Sequence, residues 1–196
     1  MTESGKHFHH GRSTKEILDA NRVLNLIGLK KGQIFLDAGS GDGYMSLAAS
    51  KIVGNEGKVY AIDVWEESIN TFKKEIEKEN IENIEATVAD ITQKIPVDDE
   101  SIDILYIGNV LHGFAENDEV QPVMNEIQRV IKNGGSFAVV EFKKIENSPG
   151  PPLHVRITPE DVEKIVENYG FIVKEVQDVG TYHYAIISAK NSSIKI

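Results

Sequence analysis

The sequence predicts a doubly wound α/β domain, with five parallel strands, helices on both faces and a terminal antiparallel hairpin. Three observations predict it. Short aliphatic runs alternate with helical stretches up to Val140, which is the rhythm of β–α–β units. One run passes directly into a Gly-x-Gly-x-Gly cluster at Gly39, Gly41 and Gly43. After Gly170, two strand-like runs are separated only by Gly180-Thr181, and so short a join requires an antiparallel pair.

The elements follow in order. Ser13-Thr14-Lys15-Glu16 reads as a capping box, opening a helix whose apolar face is Ile17, Leu18, Val23, Leu24 and Ile27, up to Gly28. Lys31-Gly32 is a turn, Ile34-Phe35-Leu36 a buried strand, and Met45 to Ala49 the start of a helix ending near Gly54. Val59 to Ile62 is the second strand, and Trp65 to Glu79 a charged, exposed helix. Ile84 to Ala89 and Ile102 to Ile107 are the third and fourth strands. Gln121 to Ile131 is a helix closed by Asn133-Gly134-Gly135, and Phe137 to Val140 the fifth strand.

Thr158-Pro159-Glu160-Asp161 combines a cap hydroxyl, a proline at the first helical position and acids in the first turn. Val162, Ile165, Val166 and Tyr169 supply that helix's apolar face, and Gly170 stops it. Phe171 to Val179 and Tyr182 to Ala189 form the hairpin. A single domain is expected over 14–190, with a flexible arm at 1–13 and a tail at 191–196. The segment 143–157 is expected to be loose.

Composition narrows the function. The 196 residues hold 21 Lys plus Arg against 31 Asp plus Glu, a net charge of −10. That balance argues against a protein held on nucleic acid or an anionic membrane by broad electrostatics. There is no cysteine, which excludes disulfides, thiolate–zinc sites and cysteine nucleophiles within the chain. The first residues, MTESGKHFHHGRS, lack the apolar core of a signal peptide. No apolar run approaches the roughly 18 residues needed to span a bilayer, so a cytoplasmic location is expected. His7, His9 and His10 invite a metal reading. Without cysteines or a tightly spaced histidine pair on a helix, no metal is expected there.

The most informative segment is Phe35-Leu36-Asp37-Ala38-Gly39-Ser40-Gly41-Asp42-Gly43-Tyr44. A strand that runs into glycines and then a helix lets the backbone pass close beneath a nucleotide-like ligand. Asp63 ends the second strand, about twenty residues after the glycines, where an acid can accept hydrogen bonds from both ribose hydroxyls. The bland alternative is a glycine turn and a helix-capping aspartate. A dinucleotide site expects Gly-x-Gly-x-x-Gly and a helix terminus aimed at a pyrophosphate. Here Asp37 precedes the glycines and would repel a pyrophosphate, whereas it suits a ligand carrying an ammonium group and a sulfonium.

At these residues the chain resembles the class I S-adenosylmethionine-dependent methyltransferases. DAGSGDG is similar to their first motif, YAIDVW to their second and Ala89-Asp90-Ile91 to their third. Asp103 to His112 resembles their fourth strand and its exit, and Arg129 to Gly135 the turn before their fifth. The terminal hairpin is similar to their last two strands. The resemblance implies a Rossmann-like, seven-stranded methyltransferase fold and S-adenosyl-L-methionine as cofactor. It places Gly39, Ser40 and Gly41 beneath the methionine and ribose portions, with Asp37 near the amino end. It also implies that Asp63 holds the ribose, Val64 and Trp65 flank the adenine, Asp90 and Ile91 line the adenine pocket, and Asn109 meets the methionine moiety. Surface packing is the alternative for Trp65, and helix capping for Asp90.

A narrower resemblance, to the ubiquinone/menaquinone-biosynthesis-like group, rests on Asn109 to Phe114 and on Arg156-Ile157-Thr158-Pro159-Glu160. It implies a small-molecule acceptor. The related arsenite methyltransferases rely on cysteines, so that activity is not expected. Nucleic acid is not an expected partner either, because Gly108-Asn109-Val110-Leu111 stands where an amino-methylating signature would be. His112, just beyond the fourth strand, is the candidate general base, with loop fixation as the alternative. Glu141, His154 and Arg156 are candidate substrate-pocket residues, with strand capping and a solvated loop as alternatives. A non-catalytic module that binds S-adenosylmethionine is the competing function, and a nicotinamide-dependent oxidoreductase a third.

Overall fold

Aliphatic strands that are buried on both faces need cover on both sides, and the computed structural model, which describes residues 14–191, provides it. Five strands, β1 (Ile34–Ala38), β2 (Lys58–Asp63), β3 (Ile84–Val88), β4 (Ile102–Gly108) and β5 (Ile131–Phe142), run parallel. The hairpin β6 (Phe171–Asp178) and β7 (His183–Lys190) completes a seven-stranded sheet of order β3-β2-β1-β4-β5-β7-β6. β7 lies between β5 and β6 and is antiparallel to both. The expected fold class is the observed one.

Helices α1 (Ala20–Leu26), α2 (Tyr44–Val53) and α3 (Glu66–Lys78) pack Leu24, Ala49 and Phe72 against Phe35, Val59 and Ile104 on one face of the sheet. On the other face, α5 (Val120–Val130) and α6 (Pro159–Asn168) pack Met124, Ile127, Val162 and Val166 against Leu36, Leu105 and Phe137. The chain winds outward from β1 to β3, then crosses back to β4 on the other side of β1. The carboxyl ends of β1 and β4 therefore sit at the point where the winding reverses, which leaves a crevice between their loops.

Three local readings change. The first helix is shorter than expected: Thr14 O accepts from Ile17 N and Leu18 N in a separate turn. Asp19 then caps α1 by accepting from Arg22 N at 3.1 Å. Asn133-Gly134-Gly135 is no free turn. Ile131 leaves α5 with ψ 132 and already pairs with Ile102, and Gly134 at φ 74 bends the strand rather than ending it. Finally, the exit of β4 carries a short helix, α4 (Leu111–Glu116), that its six residues did not announce.

The cap of α6 is as expected. Thr158 Oγ1 accepts from Asp161 N at 3.2 Å while Asp161 Oδ2 accepts from Thr158 N at 3.3 Å. Thr158→Ala removes this reciprocal cap and is expected to lower unfolding free energy by about 1 kcal/mol in urea titrations. An unchanged midpoint would mean that packing alone holds the start of α6.

Candidate functional site

A cavity of about 390 Å³ opens where the carboxyl ends of β1, β2, β3 and β4 converge, within the range typical of small-molecule sites. Asp37, Gly39, Ser40, Gly41, Asp63, Val64, Trp65, Asp90, Ile91 and Asn109 all line it, as does His112. Residues as far apart in the chain as Asp37 and Asn109 meet here because β1 and β4 are neighbours.

The glycine loop is held open by its backbone. Gly39, Gly41 and Gly43 have φ of 84°, 53° and 80°, a region that disfavours any side chain. A β-carbon at Gly39 would lie 2.6 Å from Val110 Cγ2, so that position is closed sterically as well. Ile62 O accepts from Gly39 N at 2.7 Å and Ser40 N at 2.9 Å, tying the loop to β2. Asp63 adds a second tie: Oδ2 accepts from Gly41 N at 2.8 Å, and Oδ1 from Trp65 N at 2.9 Å.

Two polar groups in the lining lack the partner that burial normally demands, and a third is a buried carboxyl. Ser40 Oγ and Asn109 Oδ1 are buried with no hydrogen-bond partner among the described residues. Asn109 also holds a left-handed φ of 58°, its N–H donating to Val140 O at 2.8 Å. Asp37 is 1% exposed and has one side-chain donor, Ser46 Oγ at 2.6 Å. Burial chiefly pushes its carboxyl up to about 7; the Ser46 hydrogen bond opposes this, and the charges of Asp63 and Asp42 reinforce it. These groups fit a ligand that brings a cation and hydrogen-bonding groups of its own.

Asp90 caps a turn, accepting from Thr92 N at 2.9 Å and Thr92 Oγ1 at 2.7 Å, while still lining the cavity. Val64 and Trp65 are 42% and 38% exposed, at the rim. Glu141 does not line the cavity. It stands behind His112, with Oε2 2.8 Å from the ring Nδ1 and Oε1 accepting from His112 N at 3.1 Å.

Two candidates of the 143–157 loop lie elsewhere. His154 is exposed and outside the cavity. Arg156 is buried, and its guanidinium donates to the carbonyls of Lys143, Ile145, Ser148, Pro149 and Pro151 and to Ser148 Oγ. With its donors occupied by the loop's own backbone, Arg156 has none turned to a substrate anion, and the segment expected to be loose is laced together. His7, His9 and His10 lie outside the described residues, which themselves hold no cluster of three or more metal-ligating side chains. Among the described residues no helix is long and apolar enough to cross a membrane.

The sequence reading missed Tyr44, Tyr106 and Phe114 in the lining. Alternation along β4 was the available signal for Tyr106, which stacks on Phe35 at 6.2 Å between ring centroids. Phe114 reaches the cavity through α4, which carried no recognisable start.

Residues 29–189 match a family described as a methyltransferase domain. The chain is 28% identical over 169 residues to a ubiquinone/menaquinone biosynthesis C-methyltransferase of Teredinibacter turnerae, covering 83% of this chain and 61% of that protein. It is 28% identical over 164 residues to an arsenite methyltransferase of Halobacterium salinarum, covering 83% and 40%. The chain thus spans less than two thirds of the length of these curated relatives. Among solved structures, a SAM-dependent methyltransferase from Aquifex aeolicus superposes with a TM-score of 0.83 at 33% identity, covering 92% of this chain and 94% of that one.

The carboxyl of Asp37 gives a signed pH prediction. In the fold it keeps its proton up to about 7, whereas the ordinary value is 3.8. Its contribution to stability is therefore complete at low pH and is lost as pH rises through that window. Asp37→Asn is expected to raise the melting temperature of the ligand-free chain at about pH 8 and to lower affinity for S-adenosylmethionine at least tenfold. Calorimetry across the same window should show wild-type affinity rising with pH, as the carboxylate forms. A flat profile would remove Asp37 from ligand binding.

Proposed function

Because the chain belongs to the methyltransferase-domain family, whose class I members take S-adenosylmethionine as methyl donor, we propose that it methylates a small molecule at this cavity. The observation that carries the reading is the convergence of Asp37, Ser40, Asp63 and Asn109 on one cavity, where Ser40 and Asn109 hold unpartnered buried oxygens among the described residues and Asp37 is a buried carboxyl. Asp37 balances the ammonium of the donor, and Ser40 and Asn109 satisfy their buried oxygens on its polar groups. Asp63 receives the ribose hydroxyls, while Val64, Trp65, Asp90 and Ile91 surround the adenine. Gly39 and Gly41, both at positive φ, carry no side chain into the space beneath the donor.

The donor supplies a methyl group on a sulfonium that is already an activated leaving group. The protein's share is alignment and exclusion of water. In this reading His112, which lines the cavity, takes the proton from an acceptor that must lose one. Its buried pairing with Glu141 favours turnover over a purely regulatory binding module. Support for a small acceptor comes from the ubiquinone/menaquinone relative and from the net charge of −10, which disfavours nucleic acid. Arsenic chemistry is not carried over from the Halobacterium relative, since this chain has no cysteine.

Asp63 donates nothing and accepts from two backbone N–H groups, so its removal affects both loop and ligand. Asp63→Ala is expected to weaken S-adenosylmethionine binding by about 10–100-fold, the loss of one or two charge-assisted hydrogen bonds. Titration calorimetry with S-adenosylmethionine and S-adenosylhomocysteine measures this directly. Wild-type affinity retained in the variant, or no heat with the intact chain, would sink the reading.

A further inference from the structure

A further polar group of the cavity stands on β4. Tyr106 is 4% exposed and lines the cavity, yet its hydroxyl makes no hydrogen bond among the described residues. A buried tyrosine hydroxyl ordinarily finds a partner. Packing does not account for it: the ring stacks on Phe35, 6.2 Å between centroids, and Phe35 fills its own place in the same apolar cluster without a hydroxyl. The backbone also makes room for this group. A β-carbon at Gly108 would lie 2.2 Å from the Tyr106 hydroxyl oxygen and 2.7 Å from Cζ. The ring therefore runs along β4 as far as its last residue, towards the strand ends where the cavity opens.

Place in the sheet decides which part of a donor this hydroxyl can meet. In the order β3-β2-β1-β4, Asp63 at the end of β2 and Tyr106 on β4 lie on opposite sides of β1. With the adenosyl end held at the ends of β2 and β3, the amino-acid tail crosses β1 towards β4. Asp37 and Tyr106 are partners in the β1–β4 register, so their side chains leave the sheet on the same face. Burial foremost, then the charges of Asp37 and Glu141, push the phenol pKa well above the usual tyrosine range. The hydroxyl is thus a neutral hydrogen-bonding group and no base. An ammonium brings three N–H donors, more than the Asp37 carboxyl, which already accepts from Ser46 Oγ, satisfies by itself.

Resting on the donor reading above, we propose that Tyr106 is a donor-binding residue whose hydroxyl oxygen, beside Asp37, accepts from the ammonium of S-adenosylmethionine. Gly108 serves the same contact by leaving the hydroxyl its space. The site thereby recognises the tail of the donor as well as its adenosyl end.

The test compares the full-length wild type with Tyr106→Phe, which keeps the ring and its stack on Phe35. Calorimetry measures S-adenosylmethionine, decarboxylated S-adenosylmethionine, which keeps the ammonium and lacks the carboxylate, and 5′-methylthioadenosine, which has no tail. The last is read by competition where its own heat is weak. Losing a hydrogen bond to a charged group is expected to weaken both tailed ligands at least about fivefold, while 5′-methylthioadenosine changes by less than about twofold. Without ligand, Tyr106→Phe is expected to melt no lower than wild type, because the removed hydroxyl has no protein partner to lose. A smaller loss with either tailed ligand, a larger change with 5′-methylthioadenosine, or a lower melting temperature of the ligand-free variant overturns the assignment; failure to fold counts as the last of these. Wild type that takes up none of the three ligands would instead overturn the donor reading.

Discussion

The carboxylate of Asp63 is the fastening on which the site depends, because it joins two segments that diverge from the sheet. Its oxygens accept from Gly41 N in the loop after β1 and from Trp65 N at the start of α3, while the neighbouring Ile62 O accepts from Gly39 N and Ser40 N. Four N–H groups of a strained loop and a helix entry are thereby satisfied from one strand end. That satisfaction is what allows three glycines in a row of alternate positions to hold positive φ, since a loop this exposed to rearrangement needs its donors tied down.

The distribution of unmet polar groups separates scaffold from site. Away from the cavity, buried charges are fully engaged: Lys190 donates to Gln128 O and Ile131 O, and Arg156 to five loop carbonyls. Within the cavity, Ser40 Oγ and Asn109 Oδ1 have no partner among the described residues, and Asp37 sits nearly desolvated. A buried polar atom without a partner costs stability, on the order of 1–3 kcal/mol for each such group. His183 differs. Both its ring nitrogens are buried without a partner among the described residues, but burial foremost, with the charges of Lys143 and Arg156, lowers its pKa to about 4. It therefore packs as a neutral aromatic against Phe142, 4.1 Å between ring centroids.

Legibility differed between strands, caps and contacts. The seven strands and their mixed directions were readable, because buried parallel strands must be aliphatic and a two-residue join forces an antiparallel return. The cap of α6 was readable from four consecutive residues. The start of α1 was misplaced since a threonine turn and an aspartate cap stand five residues apart and either opens a helix locally. The short α4 was missed for lack of any cap, and with it Phe114 as a lining residue. Arg156, a substrate-pocket candidate in the sequence with a solvated loop as the alternative, instead donates to the carbonyls of its own loop, contacts that no local pattern encodes.

By itself the sequence determined the alternation of elements, the bend at Gly39 to Gly43 and the acids at the ends of the first two strands. Each of these follows from neighbours in the chain: steric limits on φ, periodicity, and an acid at a strand's end. Tertiary structure alone decided which side chains touch. His112 and Glu141, 29 residues apart, meet because β4 and β5 lie side by side with Gly108 opposite Val140. That register is a property of the assembled sheet, in which packing on two faces selects one strand order among many that the same local patterns would permit.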